Sequence, residues 1–145
     1  MTPSLKVELP ARLEHLPRAR QAIGDVCDEL RLVGPLAGDI RLAVSEAAAD
    51  CVLHTAAGGR PQATFALSAR VEHGALEIVV EDFVGGLVRG PIGGGGRGSR
   101  MRVVRSLADW SDVASSPSRG LRIAMRIAMR FALPSERDAT LPRAA

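Results

Sequence analysis

Tyrosine is absent from this 145-residue chain, and one tryptophan and three phenylalanines are the only aromatic side chains it has. That excludes the aromatic platform on which single-stranded nucleic acid stacks. It also leaves the core to aliphatic residues and alanine, within a hydrophobic share of 46%. Cysteine is nearly as scarce. Cys27 and Cys51 have no metal-ligand spacing and fall on the inward faces of two predicted helices, as buried reduced thiols do. No run of about 18 apolar residues exists to cross a bilayer. The first twenty residues, Met1 to Arg20, lack the apolar stretch of a signal peptide, so a soluble cytoplasmic protein is expected. Charge of one sign is not in large excess. Nineteen basic against sixteen acidic side chains give a net +3 and a pI near 9.6. This is a weak pointer to an acidic partner or phosphate; neither a nucleic-acid nor a membrane partner is expected.

The length suits one domain, read as residues 1–133 with a flexible tail over 134–145 that carries Pro134 and Pro142. Leu5, Val7 and Leu9 alternate with polar neighbours and predict a first strand stopped by Pro10. Leu16, Ala19, Ile23, Cys27 and Leu30 recur at helical spacing and predict a helix over 16–32, broken by Gly34-Pro35. A second helix is expected from about Leu36 to Ala56, then a turn at Gly58–Pro61 and two strands around 62–73 and 75–82 separated by His73-Gly74. Eight of the fifteen glycines lie between Gly85 and Gly98. With almost no core-forming residue there, the segment reads as a mobile loop. A helix follows from about Arg100 to Ala108, then a strand near Trp110–Ala114. From Leu121 to Phe131 every odd residue is apolar, and period two predicts a long strand with arginines on its solvent face. Consecutive strands joined by tight turns, with helices on one face, give an α+β two-layer sandwich with a mixed or antiparallel sheet.

Residues 45–54, Ser-Glu-Ala-Ala-Ala-Asp-Cys-Val-Leu-His, concentrate the chemistry. Glu46, Asp50 and His54 sit four apart and share one helix face. Ile40, Val44, Ala47 and Cys51 mark a different, apolar face. Taken alone, a line of two acids and an imidazole is most often a solvated surface; the downstream residues argue otherwise.

In this order, "RLAVSEAAADCVLH", "VVEDFVGG" and "GSRMRVVRSLAD" resemble the three ATP-site boxes of the domain shared by histidine kinases, the Hsp90 chaperones, gyrase B and DNA mismatch-repair ATPases. The closer resemblance is to the small bacterial anti-sigma-factor serine kinases of partner-switching systems, and it covers roughly residues 5–132. It implies a histidine kinase/Hsp90-like fold, with ATP and magnesium as cofactors if the site is functional. Glu46 would be the catalytic general base, and the residue at position 50 the magnesium ligand. Asp82 would accept a hydrogen bond from the adenine amino group, and Gly86, Gly96, Gly98 and position 100 would approach the nucleotide at the lid. The implied partners are a sigma factor and/or a STAS-domain anti-anti-sigma protein, with a homodimer on family precedent. His54 matches a position where the family often has histidine, with a role in packing or a hydrogen bond at the helix end.

Four positions depart from the boxes, all in the nucleotide site. Asp50 replaces asparagine, Val84 and Arg100 replace glycines, and Leu121 replaces a threonine. An aspartate can bind magnesium, but it adds charge beside Glu46. Arg100 adds the opposite charge. Two placements are open for it: an internal ion pair with Asp50 or Glu46, or a surface position at the edge of the glycine loop, where Arg97, Arg102 and Arg105 would join it in a basic patch. Two functions follow. One is a binding module of the partner-switching kind with weak or lost ATP affinity, and the other is an active serine/threonine kinase working through Glu46. A stand-alone histidine-kinase domain ranks below both, and a nucleic-acid binder ranks last.

Overall fold

A computed structural model describes residues 3–57, 62–82, 97–116 and 120–130. Strand β1 (Ser4–Pro10) leads through a short 3₁₀ turn (Leu13–His15) into helix α1 (Leu16–Glu29) and helix α2 (Gly34–Ala57). Strands β2 (Thr64–Glu72) and β3 (Ala75–Asp82) follow, then helix α3 (Arg97–Leu107), β4 (Trp110–Ser116) and β5 (Gly120–Ala128). The sheet runs β1-β2-β3-β5-β4, and every neighbouring pair is antiparallel.

Period two places the sheet's apolar face. Leu9 of β1, Phe65, Leu67 and Ala69 of β2, Leu76, Ile78 and Val80 of β3, and Leu121, Ile123, Met125 and Ile127 of β5 are buried. They form one cluster with Ala19, Ile23 and Cys27 of α1, Ile40, Val44, Ala47 and Cys51 of α2, and Met101 and Val104 of α3. The helices therefore lie on one face, and the α+β two-layer reading holds. Both cysteines are buried and unbridged. Burial pushes the Cys27 thiol up from 9.0 to about 11, against the lowering pull of the Arg41 charge. Among the described residues, no helix is long and apolar enough to cross a membrane.

The opposite face of the sheet carries crossed ion pairs. Glu77 meets Arg70 Nε and Arg126 Nε, each at 3.1 Å, and Arg122 lies 3.8 Å from Glu81. Partial burial would raise the Glu77 carboxyl. The hydrogen bond from Arg70 and the charges of Arg70 and Arg126 outweigh this and hold it below its ordinary value. The arginines of β5 thus do more than solvate a face.

Several boundaries differ from the sequence reading. Helix α1 ends at Glu29, short of residue 32. Arg31 takes φ 54°, with Leu32 N–H donating to Cys27 O at 3.2 Å and Arg31 N–H to Asp28 O at 3.1 Å. This double closure is the Schellman motif, here built without glycine. Gly34-Pro35 does not separate the helices; it opens α2, a place where proline's missing N–H costs nothing. Helix α3 starts at Arg97, so Gly98 belongs to its first turn and not to the glycine loop. Strand β5 spans Gly120–Ala128. The expected turn at 58–61, most of the glycine loop, Phe131 and the tail at 134–145 lie outside the described residues.

Candidate functional site

Helix α2 supplies most of the polar side chains. Its apolar stripe, Ile40, Val44, Ala47 and Cys51, is fully buried, which fixes the helix's rotation over the sheet. One turn apart on an adjoining face, Asp50 and His54 are carried inward as well. Asp50 is only 1% exposed. Glu46 is half-buried, and its neighbour Ser45 accepts a hydrogen bond from Arg20 Nη1 of α1 at 3.0 Å. The bland expectation of a solvated face therefore fails for two of the three positions. A buried carboxylate needs hydrogen bonds or an opposite charge, and Asp50 has both.

Asp50 takes its partner from α3. The Arg100 Nε donates to Asp50 Oδ1, and the arginine side chain is itself largely buried. The internal-pair placement of Arg100 is the one adopted, and the partner is Asp50; among the described residues no ion pair reaches Glu46. The reason is geometric. Helix α3 anchors Met101 and Val104 in the core, and that rotation turns position 100 toward α2. Arg102 and Arg105 remain exposed. A basic patch with Arg100 as a member is therefore not formed.

Asp82, the last residue of β3, is fully buried. Its Oδ2 lies 2.5 Å from His54 Nδ1, and its Oδ1 accepts the backbone N–H of Leu121 at 3.1 Å. Strands β3 and β5 pair Glu81 with Arg122, so Asp82 lies beside Leu121 at the end of the ladder. Gly120, with φ 77°, turns the chain into β5 just before this contact, a conformation that favours glycine.

Two features of this cluster escape a sequence reading. His54 and Asp82 are 28 residues apart, so no local spacing announces their hydrogen bond. The Leu121 contribution is a backbone N–H, invisible to residue type; the loss of a threonine hydroxyl there does not leave Asp82 without a donor. Of the residues expected at the site, Glu46, Asp50, Asp82 and Arg100 gather around the C-terminal half of α2 and its neighbours. Gly98 is exposed in α3, with open space where a side chain would project. Gly86, Gly96 and Val84 lie outside the described residues.

Comparisons with known proteins agree with this fold. A crystal structure of the RsbU and RsbW domains of Rv1364c from Mycobacterium tuberculosis superposes with a TM-score of 0.70 at 18% identity. The match covers 91% of this chain and 35% of that one, so the chain spans about a third of its length. At that identity the likeness concerns the fold. No curated protein matches the sequence. The model of the histidine kinase-like ATPase domain matches residues 9–127, a span that contains α2, Asp82 and Arg100, and the chain belongs to that family.

Proposed function

We propose that this domain is a regulator of the partner-switching kind, anti-sigma-factor-like, that works in the cytoplasm by docking on proteins and has weak or lost ATP binding. Its partners on this reading are a sigma factor, a STAS-domain anti-anti-sigma protein, or both. The observation that carries the reading is the ion pair between Arg100 and Asp50. The family implies ATP with magnesium, and position 50 is where a neutral oxygen would face the metal. Here that position holds a carboxylate whose charge is already neutralised by a guanidinium from the lid helix. A cation arriving there would have to displace Arg100 and desolvate. On the adenine side Asp82 is held from inside the fold, by His54 Nδ1 at one oxygen and the Leu121 N–H at the other. On this reading the paired Asp50 and Arg100 do not fit MgATP.

One observation favours the kinase reading: Glu46, the general-base position, is unchanged and only half-buried. Calorimetric titration with ATP and ADP, with and without magnesium, decides between the two. No heat at millimolar nucleotide is expected. Magnesium-dependent binding in the micromolar range would overturn the docking reading, and phosphate transfer with Glu46→Ala as control would follow. The combined variant Asp50→Asn, Val84→Gly, Arg100→Gly is expected to gain nucleotide affinity by tenfold or more, about 1.4 kcal/mol.

A further inference from the structure

Helix α2 is apolar on two sides. Its inward stripe is buried in the core, yet its outward face carries Leu42, Ala49, Leu53 and Ala56, with Glu46 among them. Five large hydrophobic side chains are exposed among the described residues, and two of them, Leu42 at 46% and Leu53 at 40%, lie on this face. A surface helix ordinarily turns a charged side to water. The titratable polar residues between Leu42 and Ala56 are Glu46, Asp50 and His54, and the last two are buried. Glu46 is therefore the one charge that the face presents. The five positions follow one another at intervals of 4, 3, 4 and 3. That is the heptad spacing by which one helix lies along another, and it covers about 21 Å of the helix axis.

We infer that this face is a docking seam for an amphipathic helix of a protein partner, and that the partner helix sets a lysine or arginine against Glu46. The carboxylate selects the occupant. Leu42 and Ala49 flank Glu46 one turn away on either side, and any helix laid over them takes it out of water. An unpaired carboxylate resists that transfer, so a wholly apolar helix is disfavoured and a helix with a cation at that level is favoured. The cation has to come from outside. The nearby arginines are engaged elsewhere: Arg20 donates to Ser45, Arg41 lies 3.8 Å from Asp28 and Arg100 holds Asp50. A second copy of the same seam does not supply it. Paired in parallel, two Glu46 carboxylates meet; paired antiparallel, each faces a leucine or an alanine and stays without a counter-charge.

The shape adds a second requirement. Leu42 and Leu53 stand out as knobs, and Ala49 between them leaves a hole for a large apolar side chain of the partner. The occupant is thus an amphipathic helix with a base at the level of Glu46 and a bulky residue at the level of Ala49. This deepens the docking reading proposed above and rests on it for the partner being a protein. It also gives Glu46 a recognition role that needs no nucleotide.

Fluorescence anisotropy tests it. The probe is a trace of labelled helical peptide about three heptads long, with leucine at its seam positions and one central lysine, titrated with the full chain up to about 300 μM. The same peptide with glutamate or leucine in place of that lysine is the control. The lysine peptide is expected to bind at least tenfold more tightly than either control. Glu46→Gln should abolish that preference, and Glu46→Lys should reverse it toward the glutamate peptide, a result that a merely misfolded variant could not give. Leu53→Asp changes an exposed side chain and should weaken the lysine peptide at least tenfold, with the far-ultraviolet circular dichroism unchanged. No binding of the lysine peptide, equal binding of all three peptides, or a preference that Glu46→Gln leaves in place overturns the inference. So does a chain that self-associates in sedimentation velocity and is made monomeric by Leu53→Asp, since the seam would then belong to a second copy. The series is run without nucleotide, so the two readings fail separately. Micromolar MgATP binding by calorimetry overturns the loss of ATP affinity and leaves a Glu46-dependent peptide preference standing, whereas absence of the preference in a chain that binds no nucleotide overturns the seam alone.

Discussion

The site has two sides, and they compare differently with the family's ATP-site pattern. On the phosphate side two residue types differ from that pattern. Asp50 and Arg100 are both substitutions, and each supplies the charge the other needs. On the adenine side the residue type survived: Asp82 is where an adenine-binding acid would be, yet His54 and the Leu121 N–H take its oxygens. Retained residue type and retained role are separate questions. A motif comparison notices the first side, because two letters differ, and passes over the second, because the letter that matters is intact. Only the hydrogen-bond partners distinguish an acid aimed at a ligand from one that closes the fold.

The comparison can be broken first on the phosphate side. Arg100→Ala leaves the Asp50 carboxylate in a 1% exposed position without its guanidinium, and such a loss costs about 3 kcal/mol. Urea denaturation should show it, together with a fall in Tm of about 9 °C. The double variant Asp50→Asn, Arg100→Ala should recover more than half of that loss, because the charge and its counter-charge leave together. If the double variant is no better than the single, the two substitutions do not compensate each other. On the adenine side His54→Ala removes one partner from a fully buried acid and should cost about 2 kcal/mol by the same assay. A cost near zero would mean that Asp82 needs no closing from α2 and stands ready for a ligand. The smallest effect calibrates both. Cys27 lies outside either cluster, and burial raises its thiol to about 11. The folded value exceeds the unfolded one, so the fold favours the protonated thiol. This contribution is complete below about pH 9 and is lost as pH rises toward 11. Stability should fall across that window in the parent and less in Cys27→Ala, and native Cys27 should resist alkylation at pH 8.

Much of this was legible in the sequence. Alternation from Leu121 onward marked β5 against the competing four-residue spacing of Arg122, Arg126 and Arg130, because the burial of a strand face fixes every second residue. The stripe Ile40, Val44, Ala47 and Cys51 fixed the rotation of α2, and with it the inward turn of Asp50 and His54. Opposite charges at 50 and 100 allowed an ion pair, but a surface position for Arg100 stood open beside it, and Glu46 beside Asp50 as the partner, until α3's own core residues set its rotation. The end of α1 was not legible, since Arg31 adopts a left-handed conformation that its residue type disfavours and that tertiary packing of Leu32 sustains. Nor was the His54–Asp82 bond, because nothing in a chain records which residues 28 positions apart will meet. The exposure of Trp110 was equally hidden: a lone tryptophan reads as core or as a partner contact until the β4–β5 register sets it beside Arg126 on the open face of the sheet.

The Leu121–Asp82 hydrogen bond also has a place in the economy of chain entropy. Two of the sheet's pairings are hairpins: two residues separate β2 from β3, and three separate β4 from β5. The turn between β2 and β3 has φ 51° at His73 and 74° at Gly74, the left-handed pair that matches the twist of a two-residue hairpin. These ribbons close short loops. The β3–β5 seam is different, because residues 83–119, with α3 and β4 among them, intervene. Bringing its ends together carries a closure cost that grows with the logarithm of that length. Asp82 sits at the open end of one ribbon and Leu121 beside the turn of the other, with His54 reaching down from the helix layer. The His54–Asp82–Leu121 cluster is thus the clasp between the two ribbons of the sheet.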